Sequence, residues 1–191
     1  MFIVIVAIVG IYGLFYAAVT TVLMPMDTNI YKDQLNTIPE LSTINESTIT
    51  ELESGAAVTE SMSALAYTSS EERTQMANIM RMGSNLPPEF VNQNFEEYDR
   101  TNENKIWAYD LILRGDISNQ LKNISSTYKE IKRLNNETLS LNQKAANDFE
   151  SGDSKAYAED LRNTANNLRQ YNKTMEKLKT QLQNLINQLQ Q

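Results

Sequence analysis

Residues 161–189 read LRNTANNLRQYNKTMEKLKTQLQNLINQL. Leu161, Leu168, Met175, Leu182 and Leu189 recur every seven residues, and Thr164, Tyr171, Leu178 and Leu185 recur at the same interval between them. Steps of three and four draw one stripe along an α-helix, and a sustained period of 3.5 residues implies a left-handed supercoil with a second helix. The pairing positions are therefore Leu161, Leu168, Tyr171, Met175, Leu178, Leu182, Leu185 and Leu189.

The partner lies immediately upstream. Ile106, Tyr109, Leu113, Ile117, Leu121, Ile124, Tyr128, Ile131, Leu134, Thr138, Leu141, Ala145 and Phe149 advance in threes and fours, which predicts one long amphipathic helix over 103–150. Ser151-Gly152-Asp153 offers a glycine for the C-cap, and Asp153 or Ser154 suits the next N-cap. The two segments, 103–150 and 154–190, have the lengths of an antiparallel coiled-coil hairpin. An intermolecular coiled coil is the competing arrangement, because the Gln-rich end, Gln181 to Gln191, leaves the final heptads little else to pack on.

Earlier in the chain, Thr43-x-x-Glu46 and Thr48-x-x-Glu51 are capping-box patterns that predict a helix over about 42–66. Ser69-x-x-Glu72 predicts a short helix ended by Gly83, with Met76, Ile79 and Met80 as core filling. Asn85-Leu86-Pro87-Pro88 is the main break, and Pro88 suits the first helical position of the next segment. The fold class that follows is all-α: an elongated helical bundle over 42–191.

The other end of the chain differs in kind. Residues 1–26, MFIVIVAIVGIYGLFYAAVTTVLMPM, carry no charged side chain. As a helix the run is long enough to cross a hydrocarbon core of about 30 Å, and it exceeds the apolar region of about 7 to 15 residues in a cleaved signal peptide. It is expected to be a transmembrane or assembly-core helix. Gly13, Ala17 and Thr21 repeat at four-residue spacing, with Gly10 on a neighbouring face, and such a seam of small residues lets helix backbones approach closely. Pro25 is expected to end this helix, and 27–41 to form an extended connector. The first charges after the span, Asp27, Lys32, Asp33 and Glu40, sum to a net acidic flank. By the positive-inside rule the N-terminus then faces the cytoplasm and the outer domain lies at the cell surface.

Composition excludes much chemistry. The chain of 191 residues has no cysteine and no histidine, so it has no disulfide, thiolate nucleophile or imidazole base or ligand. A formal net charge of −7 and no basic patch argue against a nucleic-acid partner. The carboxylate groups Glu71-Glu72, Glu96-Glu97-Asp99 and Asp148-Glu150-Asp153 have no metal-site spacing and read as solvated acidic faces. No catalytic residue, metal, cofactor or small-molecule substrate is expected; the partners expected are membrane lipid, other apolar helices, and a protein partner or a second copy.

Asn45, Asn123, Asn136 and Asn172 lie in Asn-x-Ser/Thr sequons, which suit a glycosylated extracytoplasmic surface, although about three are expected by chance in so Asn- and Thr-rich a chain. Arg114-Gly115-Asp116 spells a tripeptide displayed by some adhesion ligands, but it falls inside the helical pattern and reads as coincidence. Trp107, the sole tryptophan, reads as a buried anchor on the long helix.

An uncharged apolar N-terminal helix with no basic residue before it, followed by an outward domain, resembles the layout of mature type IV pilins. The likeness covers the first thirty residues. Ile5 stands where bacterial pilins usually carry a glutamate, and the outer domain reads as helical where a pilin head contains a sheet. The resemblance implies a filament subunit polymerising through its apolar helix. The leading expectation from the residues is a non-enzymatic, membrane-anchored surface protein acting as a structural or interaction subunit. A sensor-like module binding a ligand inside its Met- and aromatic-rich bundle is the third alternative.

Overall fold

A computed structural model of the chain describes residues 11–42, 44–62, 68–83 and 88–191. Residues 11–18 are helical and lead into a π-helical turn, Val19–Leu23. The six α-helices that follow are α1 (Met24–Ser42), α2 (Glu46–Met62), α3 (Ser70–Gly83), α4 (Pro88–Leu111), α5 (Gly115–Ser151) and α6 (Ser154–Leu189). No strand occurs among the described residues.

The first departure from expectation is at Pro25. A proline inside a helix has no N–H to donate, and its ring meets the carbonyl four residues back. The π-turn accommodates it: the Met24 N–H bonds to the Val19 carbonyl, five residues back, which widens the ladder just before the ring. Helix therefore continues through the segment expected to be an extended connector. On α1 the buried positions among the described residues are Met24, Asp27, Thr28, Tyr31, Gln34 and Ile38, at helical spacing. Three of the six, Asp27, Thr28 and Gln34, are polar, so the stripe does not register as apolar periodicity.

The second departure is in the long helix, which breaks after Leu111. Leu113 takes a left-handed backbone at φ 62°. Its N–H bonds to the Asp110 carbonyl at 3.2 Å, and the Arg114 N–H bonds to the Tyr109 carbonyl at 2.9 Å. This pair of bonds closes a Schellman motif on a leucine where glycine is usual. Ile112, not Leu113, is the buried position of the turn.

The other caps agree with local chemistry. Gly152, at φ 82°, closes α5 with the same two bonds, Gly152 N–H to Phe149 O and Asp153 N–H to Asp148 O, each 3.1 Å. Asp153 Oδ1 then accepts from the Ala156 N–H at 2.9 Å and caps α6. At α3 the capping box forms: the Glu72 N–H donates to Ser69 Oγ at 3.2 Å and the Ser69 N–H to Glu72 Oε2 at 2.9 Å. At α2 the cap is Asn45, whose Oδ1 accepts from the Ser47 N–H, so Thr48-x-x-Glu51 lies inside the helix; Thr43 is outside the described residues.

The chain divides into two compact units, the first comprising 1–41, 96–128 and 176–191, the second 42–95 and 129–175. In the first unit α1 packs on the C-terminal half of α4 and on α5, around Tyr31, Tyr109, Ile117, Leu121, Ile124 and Tyr128. Here α5 and α6 meet through Gln120 Nε2 donating to the Gln181 carbonyl at 2.9 Å and the Thr127 hydroxyl donating to Gln181 Oε1 at 2.8 Å. Leu178, Leu182, Leu185, Ile186 and Leu189 of α6 are buried. Full burial of such a side chain stabilises by about 1.5–3 kcal/mol.

In the second unit Ile49 of α2 packs with Ala165 and Leu168 of α6, flanked by Ile44 and Leu52. Arg169 holds Glu53 at 2.5 Å and Arg162 pairs with Glu60 along the same contact. The α3 position that is fully buried is Ala77; Met76 and Ile79, expected as core, are exposed, because α3 is held largely by polar links from Arg81 to Glu150 (2.5 Å) and from Arg73 Nε to the Glu150 carbonyl (3.3 Å). Between α5 and α6, Asn167 is buried and its Nδ2 donates to the Leu134 carbonyl and to Thr138 Oγ1, each at 2.7 Å. A buried amide with a fixed set of partners disfavours slipped registers of a helix pair.

Candidate interaction surface

The described part of the apolar run presents its side chains outward. Ile11, Leu14 and Val22 are exposed, Leu14 at 77%, while Val19 and Met24 are buried. Gly13, Ala17 and Thr21 are exposed as well, and a Cβ added at Gly13 would meet no atom within 4 Å. Gly10 lies outside the described residues. The expected seam is thus an open stripe. The two threonine hydroxyls of this helix are satisfied internally: the Thr20 hydroxyl donates to the Tyr16 carbonyl at 2.9 Å and the Thr21 hydroxyl to the Ala17 carbonyl at 2.7 Å. Such back-bonding lets hydroxyls sit in apolar surroundings without an unmet donor.

Two further features adjoin it in the first unit. Trp107, expected as a buried anchor, is 59% exposed and stacks on Phe15 with ring centroids 5.9 Å apart. Its position on α4 faces away from the stripe that carries Tyr109 and Asn102 into the core. The α4–α5 turn places Leu111 and Leu113 outward, Leu113 at 84%. The tripeptide Arg114-Gly115-Asp116 straddles the end of this turn, with Arg114 in the turn and Gly115 and Asp116 opening α5, and its charges engage each other: Arg114 Nε and Nη2 bond to the two Asp116 carboxylate oxygens at 3.1 and 3.0 Å, while Arg114 Nη2 also donates to the Gln188 carbonyl at 3.0 Å.

Behind this surface is a buried polar cluster that apolar periodicity does not reveal. Asp27 has a fully buried side chain, and Lys105, 12% exposed, meets its Oδ1 at 2.5 Å. The Tyr109 hydroxyl donates to Asp27 Oδ2 at 2.5 Å. The Tyr31 hydroxyl donates to Asn102 Oδ1 at 2.7 Å, and the Lys105 ammonium stands 5.0 Å from the centre of the Tyr31 ring. One helical step on, the Tyr128 hydroxyl donates to Gln34 Oε1 at 2.8 Å. Burial, reinforced at Tyr31 by the Asp27 charge, holds the Tyr31 and Tyr109 hydroxyls protonated far above the usual phenol range. These phenols are hydrogen-bond donors that clamp α1 to α4, not proton-transfer groups.

The remaining predicted positions fall as follows. Of the coiled-coil positions, Leu168, Tyr171, Met175, Leu178, Leu182, Leu185 and Leu189 are buried and Leu161 is half-buried. Asn45, Asn123 and Asn136 are exposed; Asn172 is half-buried and its Nδ2 donates to the Ile44 carbonyl at 3.1 Å. The acidic run near residue 150 is divided among caps and ion pairs. Asp153 caps α6, Glu150 pairs with Arg81, and Asp160 with Lys144 at 2.6 Å. Among the described residues no group of three or more acidic side chains is arranged to hold a metal ion.

Among the described residues, open hollows include one of about 280 Å³ lined by Glu137, Leu141, Asn163, Asn166, Asn167 and Gln170, and one of about 330 Å³ lined by Leu35, Lys179, Thr180, Gln183 and Asn184.

No protein family matches this chain, and neither a curated protein nor a solved structure does. Among the described residues no helix is long and apolar enough to cross a membrane.

Proposed function

We propose that this chain is a non-enzymatic, membrane-anchored surface protein that serves as a structural or interaction subunit. Residues 1–26 form its anchor, the N-terminus faces the cytoplasm, and the helices from α1 onward stand outside. The observation that carries this reading is the leading helix itself: the run bears no charge, its described part exposes apolar side chains on several faces, and the Gly13/Ala17/Thr21 stripe is left without a partner among the described residues. A helix that is apolar all round is stable only in lipid or against other apolar helices.

The α5 and α6 segments supply the outer part as an antiparallel coiled-coil hairpin. In its support, the heptad positions of α6 from Thr164 to Leu189 are buried, and in the second unit the residues of α6 that meet α5 descend in number as those of α5 rise, from Thr138–Asn167 to Lys144–Asp160. Partner binding or self-association then proceeds by helix pairing.

Shearing intact cells and following the chain by mass spectrometry tests this. Retention in washed membranes, with the outer helices cleaved by protease added to whole cells, is the expected result. Recovery in sheared filaments would replace the reading with the pilin-like one, in which the open stripe packs against copies of itself.

A further inference from the structure

We propose that the α4–α5 turn is a second membrane contact, at which Trp107, Leu111 and Leu113 enter the interfacial layer of the same bilayer that holds the anchor; the inference rests on the anchored reading above. The first argument is register. Asp27 lies opposite Lys105 and Tyr109, and Tyr31 opposite Asn102, so α1 and α4 run antiparallel. Four residues beyond Tyr109 is Leu113, and four residues before Asp27 is Leu23. The turn therefore stands level with the π-helical turn, Val19–Leu23. The uncharged run extends just past that level, to Met26, and the first charged side chain, Asp27, lies one helical turn beyond Leu23. The turn thus stands beside the outer end of the uncharged run, where the anchored reading puts the bilayer surface.

The second argument is chemistry at that level. Leu113 adopts a left-handed backbone that L-residues enter at a cost, and it does so 84% exposed, so the strained position serves no packing within the chain. An asparagine or glycine would fit the motif better in water. Trp107 is exposed beside Phe15, and tryptophan with its apolar body and single N–H is the side chain that interfaces favour. The charges flanking the turn are neutralised in pairs, Arg114 with Asp116 and Asp110 with Lys122 at 3.3 Å, so little unpaired charge opposes approach to the headgroups. Asp27, the first charge after the anchor, is buried against Lys105 and presents none either.

The sole tryptophan makes the test direct. The full chain is reconstituted into phosphatidylcholine vesicles with plain or brominated acyl chains, floated on a density gradient, and its Trp107 emission recorded. The expected result is co-flotation, with emission quenched at least twofold by chains brominated near the headgroup end. Because the chain has no cysteine, an environment-sensitive dye on Leu113→Cys provides an independent reading, and its emission should shift to the blue on reconstitution. Leu113→Asn, which suits the left-handed backbone, should float equally but lose most of the Trp107 quenching. Co-flotation with Trp107 unquenched and the dye at its aqueous wavelength would overturn the second contact and leave the anchor standing. A blue-shifted dye with unquenched Trp107 would mean that protein, not lipid, covers the turn, and would overturn it as well. Failure to float would reject the anchor, and the second contact with it.

Discussion

Replacing Lys105 with methionine isolates the cluster that joins α1 to α4. The substitution keeps most of the aliphatic stem and removes only the ammonium, which lies 2.5 Å from Asp27 Oδ1. Asp27 then remains as a carboxylate with a fully buried side chain and one donor, the Tyr109 hydroxyl. Removing one partner of a buried ion pair costs about 3–5 kcal/mol, chiefly because the surviving charge is desolvated and uncompensated. The ammonium's position over the Tyr31 ring adds about 0.5–2 kcal/mol to what is lost. Set against a total stability of about 5–15 kcal/mol for a domain, the expected loss is about a quarter or more. Urea unfolding of the full chain in detergent micelles, followed by far-ultraviolet circular dichroism, gives the difference from the shift in midpoint at constant slope. The paired replacement Asp27→Asn with Lys105→Met should recover most of the loss, since no unpaired charge is left inside. A Lys105→Met cost below about 1 kcal/mol, or no recovery in the pair, would refute the account of Asp27 as a buried charge that depends on Lys105.

Other outcomes follow from the caps and the buried phenols. Tyr31, Tyr109 and Tyr128 are all held protonated well above the usual phenol pKa by burial. The unfolded chain therefore loses these protons first as pH rises past about 10, and stability should fall from there at up to about 1.4 kcal/mol per pH unit for each; tyrosinate absorbance at these sites should appear together with loss of helix, and its appearance in a folded chain would contradict their burial. Gly152→Ala should destabilise by about 1–2 kcal/mol, because φ is 82° and the new Cβ would stand 3.3 Å from the Arg73 guanidinium carbon. Leu113→Gly should cost nothing and gain up to about 1 kcal/mol by relieving the left-handed leucine; thermal unfolding of both variants in micelles checks the contrast. Ser69→Ala should cost about 1 kcal/mol by removing the α3 cap, read as lowered amide protection over the first turn of α3.

The helical character of the chain was legible because its outer helices are amphipathic in the ordinary way, with apolar residues at steps of three and four and recognisable caps at Ser69 and Gly152. What escaped was polar. The stripe of α1 runs through Asp27 and Gln34, so a pattern built on apolar residues reads a loop, and Asp27 looks like a solvated flank when it is the most buried charge in the first unit. Lys105 and Asn102 carry no mark of burial either, since their partners lie more than seventy residues away in sequence. The break after Leu111 was hidden by phase. Tyr109, Leu113 and Ile117 keep perfect four-residue spacing, and the motif that ends α4 uses leucine in place of the glycine that would have announced it. Trp107 was misplaced by the same reasoning, for its neighbours Ala108 and Tyr109 take the core while the indole points out to Phe15. The Met76/Ile79 face of α3 shows the converse case, apolar positions left outside because arginines make the contact.

The central claim is that the uncharged N-terminal run holds the chain in a membrane. Membranes from cells making the full chain, washed first with high salt and then with urea, test it most directly. The chain should remain in the pellet through both washes and enter solution only with detergent; release into the aqueous supernatant by salt or urea would contradict the account.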